Sequence, residues 1–145
     1  MILMIDNYDS FVYNIAQYVG SLGEELIVIR NDELTLEQIS ALSFDRIILS
    51  PGPGKPSSAG VCLDLIKKYY TQKPILGICL GHQAIGEAFG TSVQKTRYLF
   101  HGKTSPVFHH GTKIFKNIPN PFIACRYHSL ILPEPLPEEC EITAY

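Results

Sequence analysis

Cys79 stands between Gly77 and Gly81, two residues from each, where the apolar run Pro74-Ile75-Leu76-Gly77-Ile78 gives way to a helical pattern from about Gly81 to Phe89. A thiol so placed can act as a nucleophile. Small flanking residues permit a tight strand-to-helix turn, and the helix N-terminus favours thiolate over thiol. The N–H of Leu80, the next residue, would then face a developing oxyanion. A second stretch, Ser50-Pro51-Gly52-Pro53-Gly54, follows another buried run, and its glycines let backbone N–H groups approach a ligand with no Cβ in the way. Taken singly, the first stretch also fits a structural cysteine in a glycine-rich turn, and the second an ordinary turn. Together they could bring two strand-end loops over one carbonyl.

The other chemically capable residues read more plainly. His82 lies on the helix after Cys79 and is expected to pack or hydrogen-bond. His109 and His110 adjoin in a turn where their side chains diverge, so they form no metal pair, and no metal site is expected. Cys62, Cys125 and Cys140 are widely spaced, without a C-x-x-C pair, and are expected to pack as reduced thiols. The Asp6-Asn7-Tyr8-Asp9-Ser10 turn offers Asp9 or Ser10 as a helix cap and is given no catalytic role.

The elements that must position Cys79 alternate. Ile2 to Ile5, Leu26 to Ile29, Arg46 to Leu49 and Pro74 to Ile78 read as short buried strands. Between them, Phe11, Ile15, Tyr18, Val19 and Leu22 mark a helix face ending at Gly23. Thr35-Leu36-Glu37-Gln38 has the form of a capping box opening a helix to about Leu42, and Val61, Leu65, Ile66 and Tyr69 mark another face. Repeated strand-helix alternation predicts an α/β fold with an open, mostly parallel sheet, helices on both faces, and a site at the strand C-termini. Beyond Gly90 the pattern changes. Val93 to Thr96, Ile114-Phe115, Phe122 to Tyr127 and Glu141 to Ala144 read as short strands between Gly-, Pro- and His-rich turns.

With 145 residues and 46% apolar content, the chain suits one core better than two. The net charge of −2, without a like-charged run, argues against nucleic acid as a partner. No apolar run is long enough to span a membrane, and the first residues lack the basic start of a signal peptide, so a cytoplasmic location is expected.

Gly77-Ile78-Cys79-Leu80-Gly81-His82-Gln83, with Ser50-Pro51-Gly52-Pro53-Gly54 upstream and Tyr127-His128-Ser129-Leu130 downstream, resembles the class I glutamine amidotransferase domain in residue type, order and spacing. The opening Met1 to Phe11 stretch and His101-Gly102-Lys103 are similar to the branch serving anthranilate or aminodeoxychorismate synthase. The resemblance covers the whole chain. It implies a flavodoxin-like sheet and a Cys79 thiolate that attacks the side-chain amide of glutamine, forms a glutamyl thioester and releases ammonia to a chorismate-binding synthase subunit. It further implies an oxyanion hole from the N–H groups of Gly54 and Leu80, and substrate contacts from Gly52, Gly54, Gln83, Ser129 and Leu130. No cofactor is implied, because the nucleophile is a side chain. The family's general base, a histidine followed two residues later by a carboxylate, has no counterpart here, since no His-x-Glu or His-x-Asp string occurs. His128 matches the substrate-binding stretch rather than the base. The expectation is a single domain over residues 1–145, incomplete at its C-terminus, with an exposed strand edge and apolar patch. Two alternatives remain: a non-catalytic module that binds the synthase or glutamine, and a cysteine hydrolase on the same type of sheet.

Overall fold

The computed structural model describes the backbone of residues 1–145 and the side chains of all but residues 97–100. Strand β1 (Ile2–Asp6) is buried at every position because it is flanked on both edges and covered on both faces. Its neighbours are β2 (Leu26–Arg30) and β3 (Arg46–Leu49), and β3 pairs in turn with β4 (Ile75–Gly77). All of these pairings are parallel, giving a four-stranded sheet of order β2-β1-β3-β4.

Alternation along β1 divides the core in two. Leu3 and Ile5 face a large cluster with Ile47, Leu49, Leu65, Ile66 and Leu80, built with helices α2 (Leu36–Ser40), α3 (Cys62–Tyr69) and α4 (Leu80–Ala88). Ile2 and Met4 face a smaller one with Val12 and Ile48, covered by α1 (Val12–Ser21). Odd and even residues thus bury against opposite helix layers, which is why these strands read as unbroken apolar runs. The sheet and its helices match the expected fold class.

Local signals behave unevenly. The capping box opens α2, with the Thr35 hydroxyl accepting the Gln38 N–H and the Gln38 side chain accepting the Thr35 N–H. The face expected for α1 is displaced by one residue. Val12, Ile15, Ala16 and Val19 pack inward, while Phe11, Tyr18 and Leu22 are exposed. Apolar side chains lie on both sides of this helix, and tyrosine tolerates water through its hydroxyl, so periodicity alone is ambiguous. Neither Asp9 nor Ser10 is the N-cap. Phe11 holds that position, and the Asp9 carboxylate accepts the Phe11 N–H from the preceding turn.

The C-terminal third departs most from expectation. In place of several short strands it holds a two-stranded antiparallel ribbon of β5 (Gln94–Val107) and β6 (Phe122–Ile131). His101-Gly102-Lys103 lies inside β5, where the pairing register shifts around Gly102 at φ 70°. A bulge centred on glycine lets a strand pass through turn-like residues. Ile114-Phe115 belongs to a short 3-10 turn rather than a strand. Of the Glu141 to Ala144 segment, Ala144 forms an isolated bridge with His109. Among the described residues β4 pairs only with β3, leaving its other edge open, and Leu76 is exposed there.

Candidate functional site

Leaving β4, the chain turns sharply so that Cys79 sits immediately before α4 with φ 53° and ψ −105°, left-handed backbone that a non-glycine residue rarely adopts. The flanking glycines make that turn possible. A Cβ at Gly77 would lie 2.5 Å from the Gly81 backbone, and one at Gly81 would collide with the Leu49 carbonyl and come within 2.6 Å of the Leu49 Cβ. The strain is held in place by ordinary pairing on either side: Ile78 N–H donates to Leu49 O at 3.0 Å, and Gly81 N–H donates to Ile78 O at 3.0 Å.

The Cys79 thiol is exposed, open to an incoming electrophile. Its pKa is raised from the ordinary thiol range. Desolvation by the surrounding chain contributes most, the Leu80 N–H opposes it, and the Asp9 carboxylate adds to the rise. The thiolate preference expected from the helix N-terminus is therefore outweighed among these residues. Desolvation also lowers the His82 pKa, although its side chain is partly open to water.

The loop after β3 meets the elbow directly. Gly52 is wedged so closely that a Cβ there would lie 2.5 Å from Asn7 Cβ, 2.6 Å from Asn7 O and 2.8 Å from Leu80 Cδ2. Gly54 follows at φ 80°, and among the described residues its N–H has no hydrogen-bond partner. The Leu80 N–H heads α4, where first-turn donors have no acceptor within the helix. The two backbone donors picked out by sequence thus lie on loops that touch.

Gln83 and Leu130 are also brought together. Gln83 is buried on α4 and its Nε2 donates to Leu130 O on β6 at 3.4 Å. Leu132 then packs against Gly86 of the same helix. Ser129 is exposed on β6 beside Leu130. His128 is engaged within the ribbon: its Nε2 accepts Arg126 Nε–H at 3.1 Å and its Nδ1 lies 3.2 Å from Leu130 O. Among the described residues no imidazole hydrogen-bonds the Cys79 thiol, and no cluster of His, Cys, Asp or Glu has the makings of a metal site. An open groove of about 480 Å³ at the ends of β1 and β2, lined in part by Asp6, Tyr8, Arg30 and Asp32, contains none of the expected site residues.

Sequence reasoning missed the residues that tie these loops together. Asn7 is buried; its backbone N–H donates to Ser50 Oγ at 2.9 Å and its Nδ2 donates to Ser50 O at 2.9 Å. Its Oδ1 accepts Asn31 Nδ2 at 2.9 Å and the Cys62 thiol at 3.3 Å. Ser50 Oγ in turn donates to Pro51 O at 2.6 Å. Burial pushes the Cys62 thiol up to about 11. The available signal was four small polar residues at the ends or starts of apolar runs, too common a pattern to single out.

A parallel α/β sheet with a cysteine on a strained strand-to-helix elbow defines a class of enzyme scaffold that can present a nucleophile at the strand C-termini. The glutamine amidotransferase class-I family model matches residues 3–145, and the chain belongs to that family. It is 53% identical over 146 residues to the anthranilate synthase component 2 of Pseudomonas aeruginosa, covering 100% of this chain and 73% of that protein. It is also 53% identical over 145 residues to the aminodeoxychorismate/anthranilate synthase component 2 of Bacillus subtilis, covering 99% of this chain and 75% of that protein. A solved glutamine amidotransferase of Thermotoga maritima shares the fold with a TM-score of 0.77 at 18% identity, over 99% of this chain and 65% of that one. Among the described residues no helix is long and apolar enough to cross a membrane.

Proposed function

We propose that this chain is the glutaminase component of a chorismate-using synthase, with residues 1–145 belonging to a single amidotransferase domain that works in the cytoplasm. The Cys79 sulfur attacks the side-chain amide carbon of glutamine, and the carbonyl oxygen becomes an oxyanion held by the N–H groups of Gly54 and Leu80. Collapse breaks the C–N bond, and the amide nitrogen takes a proton and leaves as ammonia. Water then adds to the thioester, giving glutamate and returning a proton to the thiol. Gly52, Gln83, Ser129 and Leu130 hold the substrate, and ammonia passes to the synthase component that binds chorismate.

The observation that carries this reading is the Cys79 elbow meeting the Gly52 loop through Leu80, which brings the thiol, the Leu80 N–H beside it and the loop that holds the Gly54 N–H together. Proton transfer requires a base beside the raised thiol. This reading assigns that role to a group delivered to the elbow from within residues 1–145 or by the partner. Relatives at equal identity carry the anthranilate name alone and both pathway names, so either end product fits.

The test is ammonia release from glutamine with and without a chorismate-binding synthase component, using Cys79→Ser as control. Release that depends on Cys79 supports the proposal. No release above the control in the presence of the partner sinks the glutaminase reading and leaves a binding role.

A further inference from the structure

The loop that supplies the Gly54 donor is exposed at its far end, at Pro53 and Gly54, yet an oxyanion hole requires its donors to be fixed within a fraction of an ångström before the substrate arrives. Resting on the amidotransferase reading above, we infer that Asn7 is a positioning residue that clamps the Ser50–Gly54 loop against the Cys79 elbow. The Asn7 side chain reaches the loop's first residue through Nδ2 and Ser50 O, while its backbone N–H holds the Ser50 hydroxyl. That hydroxyl bonds Pro51 O, so the first two residues of the loop are fixed by one asparagine.

Two further contacts make the clamp rigid. The Asn7 carboxamide cannot rotate freely, because Oδ1 is held by both Asn31 Nδ2 and the Cys62 thiol. Asn31 is anchored in turn, its N–H donating to Asp6 O at 3.0 Å and its own carbonyl accepting Val61 N–H at 2.9 Å. Beyond Ser50, Gly52 is pressed between Asn7 on one side and Leu80 on the other. A displacement of Asn7 therefore moves Gly52 relative to Leu80, and with it one oxyanion donor relative to the other. Asn7 thus holds Ser50 twice, its carbonyl through the side chain and its hydroxyl through the backbone N–H. Asparagine is specifically suited: aspartate would keep the acceptor for Asn31 and Cys62 but set an oxygen against the Ser50 carbonyl.

Two thiol reagents separate this role from a general loss of packing. Iodoacetamide needs only the Cys79 thiolate. The chloromethyl ketone analogue of glutamine also forms a carbon–sulfur bond with loss of chloride, but its ketone oxygen must occupy the oxyanion site. For Asn7→Asp the expected result is a fall in the maximal rate of Cys79 labelling by the chloroketone on the order of tenfold to a hundredfold. Its half-saturating concentration and the rate of Cys79 alkylation by iodoacetamide should stay within about twofold, the margin for a site that is still bound and still ionised.

Ser40→Ala removes a part-buried hydroxyl that bonds Leu36 O and Tyr69, outside the Asn7 network, and serves as the structural control. An equal loss of chloroketone rate in Ser40→Ala, or a parallel loss with both reagents in Asn7→Asp, would show general loosening and overturn the inference. Should Asn7→Asp not fold, Ser50→Ala removes the hydroxyl bridge by a milder change. An unaltered ratio of the two rates there also overturns it. If Cys79 of the unsubstituted protein is alkylated by iodoacetamide but not by the chloroketone, the glutamine reading itself is what fails, and the clamp falls with it.

Discussion

The parallel sheet and the β5–β6 ribbon are built to different standards. Every residue of β1 is buried, whereas β6 alternates between half-buried and exposed and has no fully buried position. The sheet is enclosed by two helix layers; the ribbon meets α4 through Leu130, Leu132 and Gln83. The proposed nucleophile, Cys79, and the proposed oxyanion loop sit on the first, and two of the expected substrate contacts, Ser129 and Leu130, on the second. The lesson is that the residues proposed to react, which need fixed geometry, lie where packing holds them, while those proposed to face the substrate are carried by a less enclosed element.

The sharpest way to break this contrast is at the elbow. Gly81→Val drives a branched side chain into the Leu49 carbonyl, and a loss of about 4 kcal/mol or more in urea unfolding is expected. Leu65→Ala empties a fully buried site and should cost about 3 kcal/mol, whereas Ile123→Ala on the exposed face of β6 should fall within about 0.5 kcal/mol. Comparable losses from those two would mean that the ribbon face is covered in solution.

Alkali should also separate the regions. The Cys62 thiol is held at about 11 in the fold against 9.0 when unfolded, so its contribution is intact below pH 9 and is lost as pH rises through 11. The loss amounts to about 2–3 kcal/mol, and Cys62→Ala should flatten stability measured across that window. Cys125, exposed on the ribbon, should take iodoacetamide in the native protein while Cys62 does not. The smallest expected effect is at the nucleophile. The Asp9 charge is one of the causes raising the Cys79 pKa, so Asp9→Asn should move the midpoint of its alkylation-rate profile to lower pH. A shift upward would show that Asp9 acts through helix structure rather than charge.

The same divide explains what could be read from sequence. β3 was legible to its last residue, Leu49, and the Thr35–Gln38 capping box to both of its hydrogen bonds, because burial and capping leave local signatures. The close approach of the Gly52 loop and the Cys79 elbow was recognisable because strand-end glycines mark places where backbones meet. The ribbon was not, since a bulge at Gly102 lets β5 run through residues with turn-like composition. Nor was Asn7: its partners Ser50, Asn31 and Cys62 lie 43, 24 and 55 residues away, and no local pattern records such contacts.

The Leu49 carbonyl has a consequence for how much this chain can vary. One oxygen both accepts the Ile78 N–H and forbids any Cβ at position 81. A saturation library selected for folding should therefore return a single letter at 81 and a broad alphabet at 123. The information content of the sequence would then be concentrated where two backbones touch.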